Sequence, residues 1–194
     1  ISLTGLRPGL HAVTVTNPSG ASSTLSPGFL VLPGVPQGLS MFCLPVEFAN
    51  PSVASVFGTA AKIARWQNDA YHGTPATGFA GDLDPCGGGR AHWIKVDSGR
   101  LVFAPTAAGT LAEQGTEQRV VLQELSDGRK RPGWYQVGTK FLQSVDWADV
   151  KASLKGGAPT ELIAAYNSGK VLPLAWAYNP ATSDYDAVST VVPG

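Results

Sequence analysis

Short apolar stretches alternate with polar residues from the start of the chain. The sequence HAVTVT places Val13 and Val15 on one face, which is the period of two expected for a β-strand. Residues 17–20 (NPSG) predict a turn, and the apolar residues 29–32 (FLVL) predict a second strand. The pattern therefore predicts an N-terminal β-hairpin within residues 1–35.

Residues 36–194 contain the same succession of patterns twice, in halves of about 36–125 and 126–194. Each half has a short helical stretch followed by a strand pattern with a tryptophan, Trp66 in the first half and Trp176 in the second. Such self-similarity predicts two copies of one β-unit. Helical stretches are expected at residues 51–57, 145–154 and 160–167, the last with Thr160 as its N-cap.

The composition fits short strands joined by many turns. The chain has 194 residues, of which 23 are Gly and 15 are Pro, while only 14% are charged. Fourteen basic and fourteen acidic residues cancel, so there is no basic surplus to attract nucleic acid or an anionic membrane. No apolar stretch has the length of a membrane span. We expect a mainly β protein with a few short helices, no nucleic-acid partner and no membrane insertion.

Two cysteines, Cys43 and Cys86, are the only thiols of the chain. A disulfide between them is the simplest interpretation, and closing a loop of that size stabilises a fold by about 4 kcal/mol. Two buried free thiols are the alternative. Cys86 lies in the glycine-rich sequence DPCGGG, a poor place for an inert core thiol, and this favours the disulfide and an oxidising, extracellular setting.

Residues 5–20 (GLRPGLHAVTVTNPSG) resemble the end of a bacterial TIG/IPT domain. Domains of that family are immunoglobulin-like sandwiches of surface proteins that close on a "G-x-Y-x-V-x-V-x-N-x-x-G" pattern. His11 stands where the family often has Tyr. The resemblance covers the last third of such a domain, within residues 5–32, and implies an immunoglobulin-like hairpin at the cell surface.

Residues 36–194 resemble a module found at the ends of secreted bacterial proteins, with the patterns "P-G-x-G-Y-W-V" and "G-W-N-x-I-G". Tyr135 and Gln136 depart from the second pattern, and His92 replaces a Tyr of the first. The resemblance implies an extracellular, non-catalytic appendage. The matching segments are residues 38–46, 64–66, 87–95, 133–139 and 145–150.

The two resemblances and the repeat predict an internally duplicated β-unit, sandwich or barrel-like, after an immunoglobulin-like hairpin. We expect a non-catalytic structural or assembly module of a bacterial surface protein whose partners are copies of itself or neighbouring domains. Since the hairpin lacks the rest of a sandwich, subunits could join into a filament by exchanging strands. The residues expected at that interface are Val13, Val15, Leu30 and Leu32.

Two further function classes stay open. Five Trp and five Tyr could stack on sugar rings, which favours a carbohydrate-binding or adhesion module, although their recurrence in both halves favours burial in a core. Trp134 and Tyr135 are adjacent, so on a strand one of the two faces outward, and that one is the best candidate for an exposed contact with a ligand or partner. A glycan hydrolase is a distant alternative, because the three histidines lie in no G-x-S-x-G or H-E-x-x-H motif. We predict that the chain is not an enzyme.

Pairs of aspartates are the only hint of a metal. Calcium prefers several oxygen ligands from a loop, and D-x-D sequences can supply two of them. The alternative is that these aspartates cap their own turns, and we expect no cofactor beyond a possible calcium ion. The candidate ligands are Asp82, Asp84, Asp184 and Asp186.

Overall fold

The computed structural model describes residues 9–31, 34–58, 60–67, 70–79, 83, 86, 88–101, 109–111, 115–120, 133–153 and 157–192. These residues form short β-strands and two short α-helices, so the predicted mainly β class is confirmed. The first strands are β1 (Gly9–Thr16), β2 (Ser22–Val31), β3 (Val35–Phe42), β4 (Val46–Phe48), β5 (Lys62–Gln67), β6 (Ala70–Gly73), β7 (His92–Leu101) and β8 (Gly109–Leu111). The later strands are β9 (Val145–Asp146), β10 (Lys151–Ala152), β11 (Thr160–Glu161), β12 (Ala175–Asn179), β13 (Asp184–Val188) and β14 (Thr190–Val191). The helices are α1 (Val53–Phe57) and α2 (Leu162–Asn167).

The largest sheet has four antiparallel strands in the order β3-β7-β5-β6. Side chains alternate between its two faces, and directly paired residues share a face. One face, the core face, carries the paired Ile63 and Ile94. The opposite face, the outer face, carries Trp93 together with the pair Trp66 and Tyr71. The sheet therefore presents a different apolar layer on each side.

The hydrophobic core lies on the core face and under α1. Ile63 and Ile94 are fully buried, and Phe42 packs edge-on against Phe57 of α1 with ring centroids 5.1 Å apart. Ser52 caps α1, because its side chain accepts a hydrogen bond from the Ser55 amide. The buried cluster consists of Val35, Phe42, Leu44, Val46, Phe48, Val53, Val56, Ile63, Cys86 and Ile94.

The predicted N-terminal hairpin is present as β1 and β2. Its turn forms at residues 17–20 as expected: the Asn17 carboxamide accepts from the Ala21 amide, and Gly20 has a φ of +86°. The second strand begins at Ser22, seven residues before the predicted start. The reason is that the polar residues 22–24 also pair with β1. Pro27 lies in this strand, where an edge position tolerates a proline, and β1 is the one described strand that pairs with β2.

In the second half α2 precedes the strand with Trp176, as expected, but two details of the prediction are wrong. The helix predicted at 145–154 does not form over its described residues 145–153. Asp146 caps a single 3₁₀ turn at Trp147–Asp149, and the Trp147 amide donates to the Ser189 carbonyl beside β14. Thr160 is not the N-cap of α2, since it lies in β11 and its hydroxyl donates to Ala152. The duplication into two equivalent halves stays a prediction.

Six sheets are formed, and within the described part of the chain none of them closes on itself. Five of the six have two strands only: β1-β2, β4-β8, β9-β14, β10-β11 and β12-β13. In the same residues no helix is long and apolar enough to cross a membrane.

Candidate functional site

An open cleft lies beside the outer face of the four-stranded sheet, between that face and the β12-β13 hairpin. Its volume of about 700 Å³ is within the range of ligand-binding clefts. We call it the aromatic cleft, because four of the five tryptophans and four of the five tyrosines line it. These residues are Trp66, Tyr71, Trp134, Tyr135, Trp147, Trp176, Tyr178 and Tyr185.

One wall of the cleft is the β12-β13 hairpin. Tyr178 and Tyr185 face each other across the two strands, and Trp176 lies on the same face two residues earlier. The buried Trp93 of the sheet contacts Tyr178 edge-on, with centroids 4.8 Å apart. Trp93 therefore holds the hairpin against the sheet, while Trp176 keeps 43% of its surface exposed.

A second wall is residues 133–139, the clamped segment, which forms no strand of its own. The Gln136 side-chain oxygen accepts a hydrogen bond from the Trp66 amide at 2.7 Å. The Gln136 carbonyl accepts from the buried Arg65 guanidinium and from the Ala91 amide, both at 3.3 Å. These bonds attach Gln136, the residue after Trp134 and Tyr135, to the sheet.

Gly138 continues this attachment. Its amide donates to the Gly89 carbonyl at 2.8 Å, and the neighbouring Val137 forms a bridge with Arg90. A Cβ at Gly138 would overlap the side chain of Cys43, whose Sγ would be 2.6 Å away. The clamped segment therefore packs against the sheet at a distance that only glycine permits at this position.

Trp134 and Tyr135 are both exposed, with 70% and 40% of their surfaces accessible. The sequence predicts one exposed contact from this pair, on the assumption of a strand whose side chains alternate. Since the clamped segment is not a strand, both side chains reach the cleft. Whether they contact a ligand stays a prediction.

The cleft carries no ionic charge. Among the described residues that line it there is no Asp, Glu, Lys, Arg or His. Its one thiol, Cys43, stays protonated because burial raises its pKa to about 12. Burial also raises the pKa of Tyr185, and the nearby phenols of Tyr71 and Tyr178 raise it further, so the phenol remains a hydrogen-bond donor. Near neutral pH the described residues of the lining are therefore uncharged.

Cys43 and Cys86 are both buried and free in this structure. Burial raises the pKa of each thiol to about 12, and Cys43 lies close enough to Cys86 to contribute to the second shift. The Cys43 thiol donates a long hydrogen bond to the Thr139 carbonyl in the clamped segment, at 3.5 Å. The proposed disulfide between them stays a prediction.

The candidate calcium ligands are divided. Asp82 and Asp84 lie outside the described residues. Asp184 and Asp186 lie on the β12-β13 face opposite Tyr185. Asp184 accepts from the Tyr185 amide, and Asp186 accepts from the Asn179 side chain at 2.8 Å. Within the described residues no three His, Cys, Asp or Glu side chains are grouped to hold a metal.

The residues expected at a strand-exchange interface lie in the β1-β2 hairpin. Val13 is half-buried, and Val15 is 67% exposed. Leu30 belongs to β2, where it pairs with Leu10, and Leu32 lies outside the described residues. Their role in assembly stays a prediction.

Comparison with known proteins gives this chain no relative. No family model matches it, and no curated protein and no solved structure matches it either. The resemblances to a TIG/IPT domain and to a secreted bacterial module therefore stay hypotheses.

The sequence pattern does not predict that Trp66, Trp147 and Trp176 share one cleft with Trp134 and Tyr135. The recurrence of the aromatic residues predicts burial, which is right for Trp93 but wrong for Trp176. The missed signal is the pairing of an aromatic residue near the end of one strand with an aromatic near the start of the next. Trp66 and Tyr71 are paired in this way, and so are Tyr178 and Tyr185.

Proposed function

We propose that this chain is a non-catalytic binding module of a bacterial cell-surface or secreted protein, and that the aromatic cleft holds its ligand. The observation that carries the proposal is an open, uncharged cleft with eight Trp and Tyr side chains. Contiguous exposed apolar surface is the mark of an interaction site, and Trp and Tyr dominate the binding energy of such sites.

The same observation favours binding over hydrolysis. A glycosidase needs two carboxyl groups that flank the scissile bond. No carboxyl side chain of the described residues lines the cleft, and its thiol is protonated. Support for the extracellular setting comes from the resemblances and the two cysteines.

Array binding with matched variants tests the proposal. The chain is applied to glycan and peptide arrays together with Trp134→Ala and with Tyr166→Ala, a control on α2 whose ring is exposed outside the cleft. We expect Trp134→Ala to lower the affinity for bound ligands about tenfold and Tyr166→Ala to leave that affinity unchanged. Binding that survives Trp134→Ala and Trp176→Ala, or turnover of a bound glycan or peptide, contradicts the proposal.

Assembly through the N-terminal hairpin is a second candidate function. The observation in its favour is that β1 and β2 pair with each other and with no other described strand, while Val15 and Leu25 stay exposed on the same face. Two-stranded hairpins are marginally stable alone, so a covering partner would stabilise this one. Its test is the last prediction of the Discussion.

A further inference from the structure

We propose that the aromatic cleft binds a proline-rich segment of a partner protein in the polyproline II conformation. This inference rests on the proposed function, because it names the ligand of the same cleft. The hydrogen-bonding groups of the lining, its lack of charge and the arrangement of its rings carry it.

The polar side chains among the described lining residues are weighted towards hydrogen-bond donors, because each phenol can both donate and accept whereas each indole only donates. The indole of Trp donates only, and the lining includes four of them. The carboxamide oxygen of Gln136 is already bonded to the Trp66 amide, and no carboxylate or imidazole of the described residues lines the cleft. A complementary ligand has many acceptors and few donors.

Proline-rich chains have this property. Each proline keeps its carbonyl oxygen but has no backbone N–H, so a proline segment accepts without donating. A neutral glycan brings a donor with every hydroxyl, and these would meet few side-chain acceptors on this wall. The hydrogen-bond inventory therefore favours the peptide over the glycan.

Trp147 supplies a second observation. It lines the cleft, and its buried Nε1 has no acceptor among the residues that the structure describes. A buried donor without a partner is unfavourable, and a carbonyl oxygen is the group that pairs with an indole N–H. A proline carbonyl is an acceptor of this kind, and pairing requires the Trp147 ring to turn its Nε1 towards the bound chain.

Four of the rings form two edge-to-face pairs in the wall of the cleft. Trp66 and Tyr71 meet at 78° with centroids 5.1 Å apart, and Tyr178 and Tyr185 meet at 70° and 5.8 Å. Proline rings of a polyproline II helix, which repeats every three residues, dock into the slots of such aromatic grooves. Since Trp134 and Trp176 keep much of their surface exposed, the cleft is open enough for a chain to pass through.

Fluorescence-anisotropy titration with labelled decaproline tests the inference, with a Gly/Ser peptide of equal length and neutral oligosaccharides as the other probes. We expect saturable binding of decaproline. Trp134→Ala should lower the affinity about tenfold, and Tyr166→Ala should leave the affinity unchanged. Both side chains are substantially exposed, so the variants should unfold at the same urea concentration as the parent chain.

Each of the other outcomes overturns the inference. Equal binding of the Gly/Ser peptide removes the role of proline, and decaproline binding that ignores both Trp134→Ala and Trp176→Ala removes the role of the cleft. Absence of decaproline binding together with oligosaccharide binding that depends on Trp134 assigns the cleft to a glycan. That last result contradicts the proline-rich ligand but not the proposed function. The proposed function is contradicted if ligands found on the arrays bind Trp134→Ala and Trp176→Ala as tightly as the parent chain.

Discussion

Cys43 lies where the aromatic cleft meets the buried part of the sheet. It lines the cleft, touches Gly138 closely enough to exclude a side chain there, and shares a buried environment with Cys86. The ionisation of these two thiols is therefore tied to folding. Both have a pKa of about 12 in the native chain, against 9.0 for an ordinary thiol.

The reduced protein should lose stability at alkaline pH. Above pH 9 the unfolded thiols ionise while the native ones keep their protons, so the native state binds more protons and unfolding becomes easier as pH rises towards 12. The free energy of unfolding should fall by about 1.4 kcal/mol per pH unit for each thiol. Urea unfolding at a series of alkaline pH values measures this slope, and a variant with Cys43→Ala and Cys86→Ala should show a shallower one.

The same experiment decides the predicted disulfide. If Cys43 and Cys86 are bonded in native material, the parent chain should have the shallow slope of the double variant until reductant is added. Intact mass after alkylation in denaturant without reductant gives an independent answer. Two added alkyl groups mean free thiols, and none means a disulfide.

At the scale of elements, the clamped segment adds a wall to the aromatic cleft without being a strand of the sheet. Its attachment depends on a side chain, because the Gln136 carboxamide takes the place of a backbone carbonyl as acceptor for the Trp66 amide. A sequence pattern cannot show that a glutamine will replace a strand neighbour. The sequence of the segment has the apolar and polar residues of a strand. In the structure the segment forms one β-bridge, between Arg90 and Val137.

Replacing Gln136 should loosen this attachment. Gln136→Met keeps the size of the side chain but removes the acceptor, and a part-buried N–H without a partner should cost about 1–3 kcal/mol in urea unfolding. Gln136→Glu keeps an acceptor oxygen and should retain most of the stability. Fluorescence quenching of the exposed Trp134 should rise in the Met variant only. Equal stability of the Met variant and the parent chain would contradict the role of this bond.

Local signals predict some elements of this fold and miss others. The turn at residues 17–20 and strand β5 are set by neighbouring residues, so pattern and turn chemistry are sufficient to find them. The expected helix at 145–154 fails because the Trp147 amide bonds to Ser189, a contact between residues far apart in the chain. The aromatic cleft is missed for the same reason, since its walls come from distant segments that meet only after folding.

At the scale of the whole molecule, the β1-β2 hairpin has an unusual distribution of side chains. Val13 and Leu25 are directly paired, and Val15 lies on their face, while the paired Thr14 and Thr24 occupy the other face. Val15 and Leu25 are 67% and 64% exposed. No other described strand pairs with this hairpin, so among the described strands its outer backbone edges have no partner, which is the arrangement that strand addition by another chain requires.

Assembly through this face should depend on Val15 and not on its neighbour Thr16. The two residues are adjacent, both are exposed, and they point to opposite faces of β1, so Val15→Glu and Thr16→Glu add the same charge to different sides of one strand. A charge on the apolar face would have to be desolvated when that face is covered, whereas a charge on the threonine face would not. Sedimentation velocity should therefore show concentration-dependent assembly of the parent chain and of Thr16→Glu, and a monomer for Val15→Glu and for a chain without residues 1–34. A parent chain that stays monomeric at every concentration, or two glutamate variants that behave alike, would show that this hairpin does not join subunits.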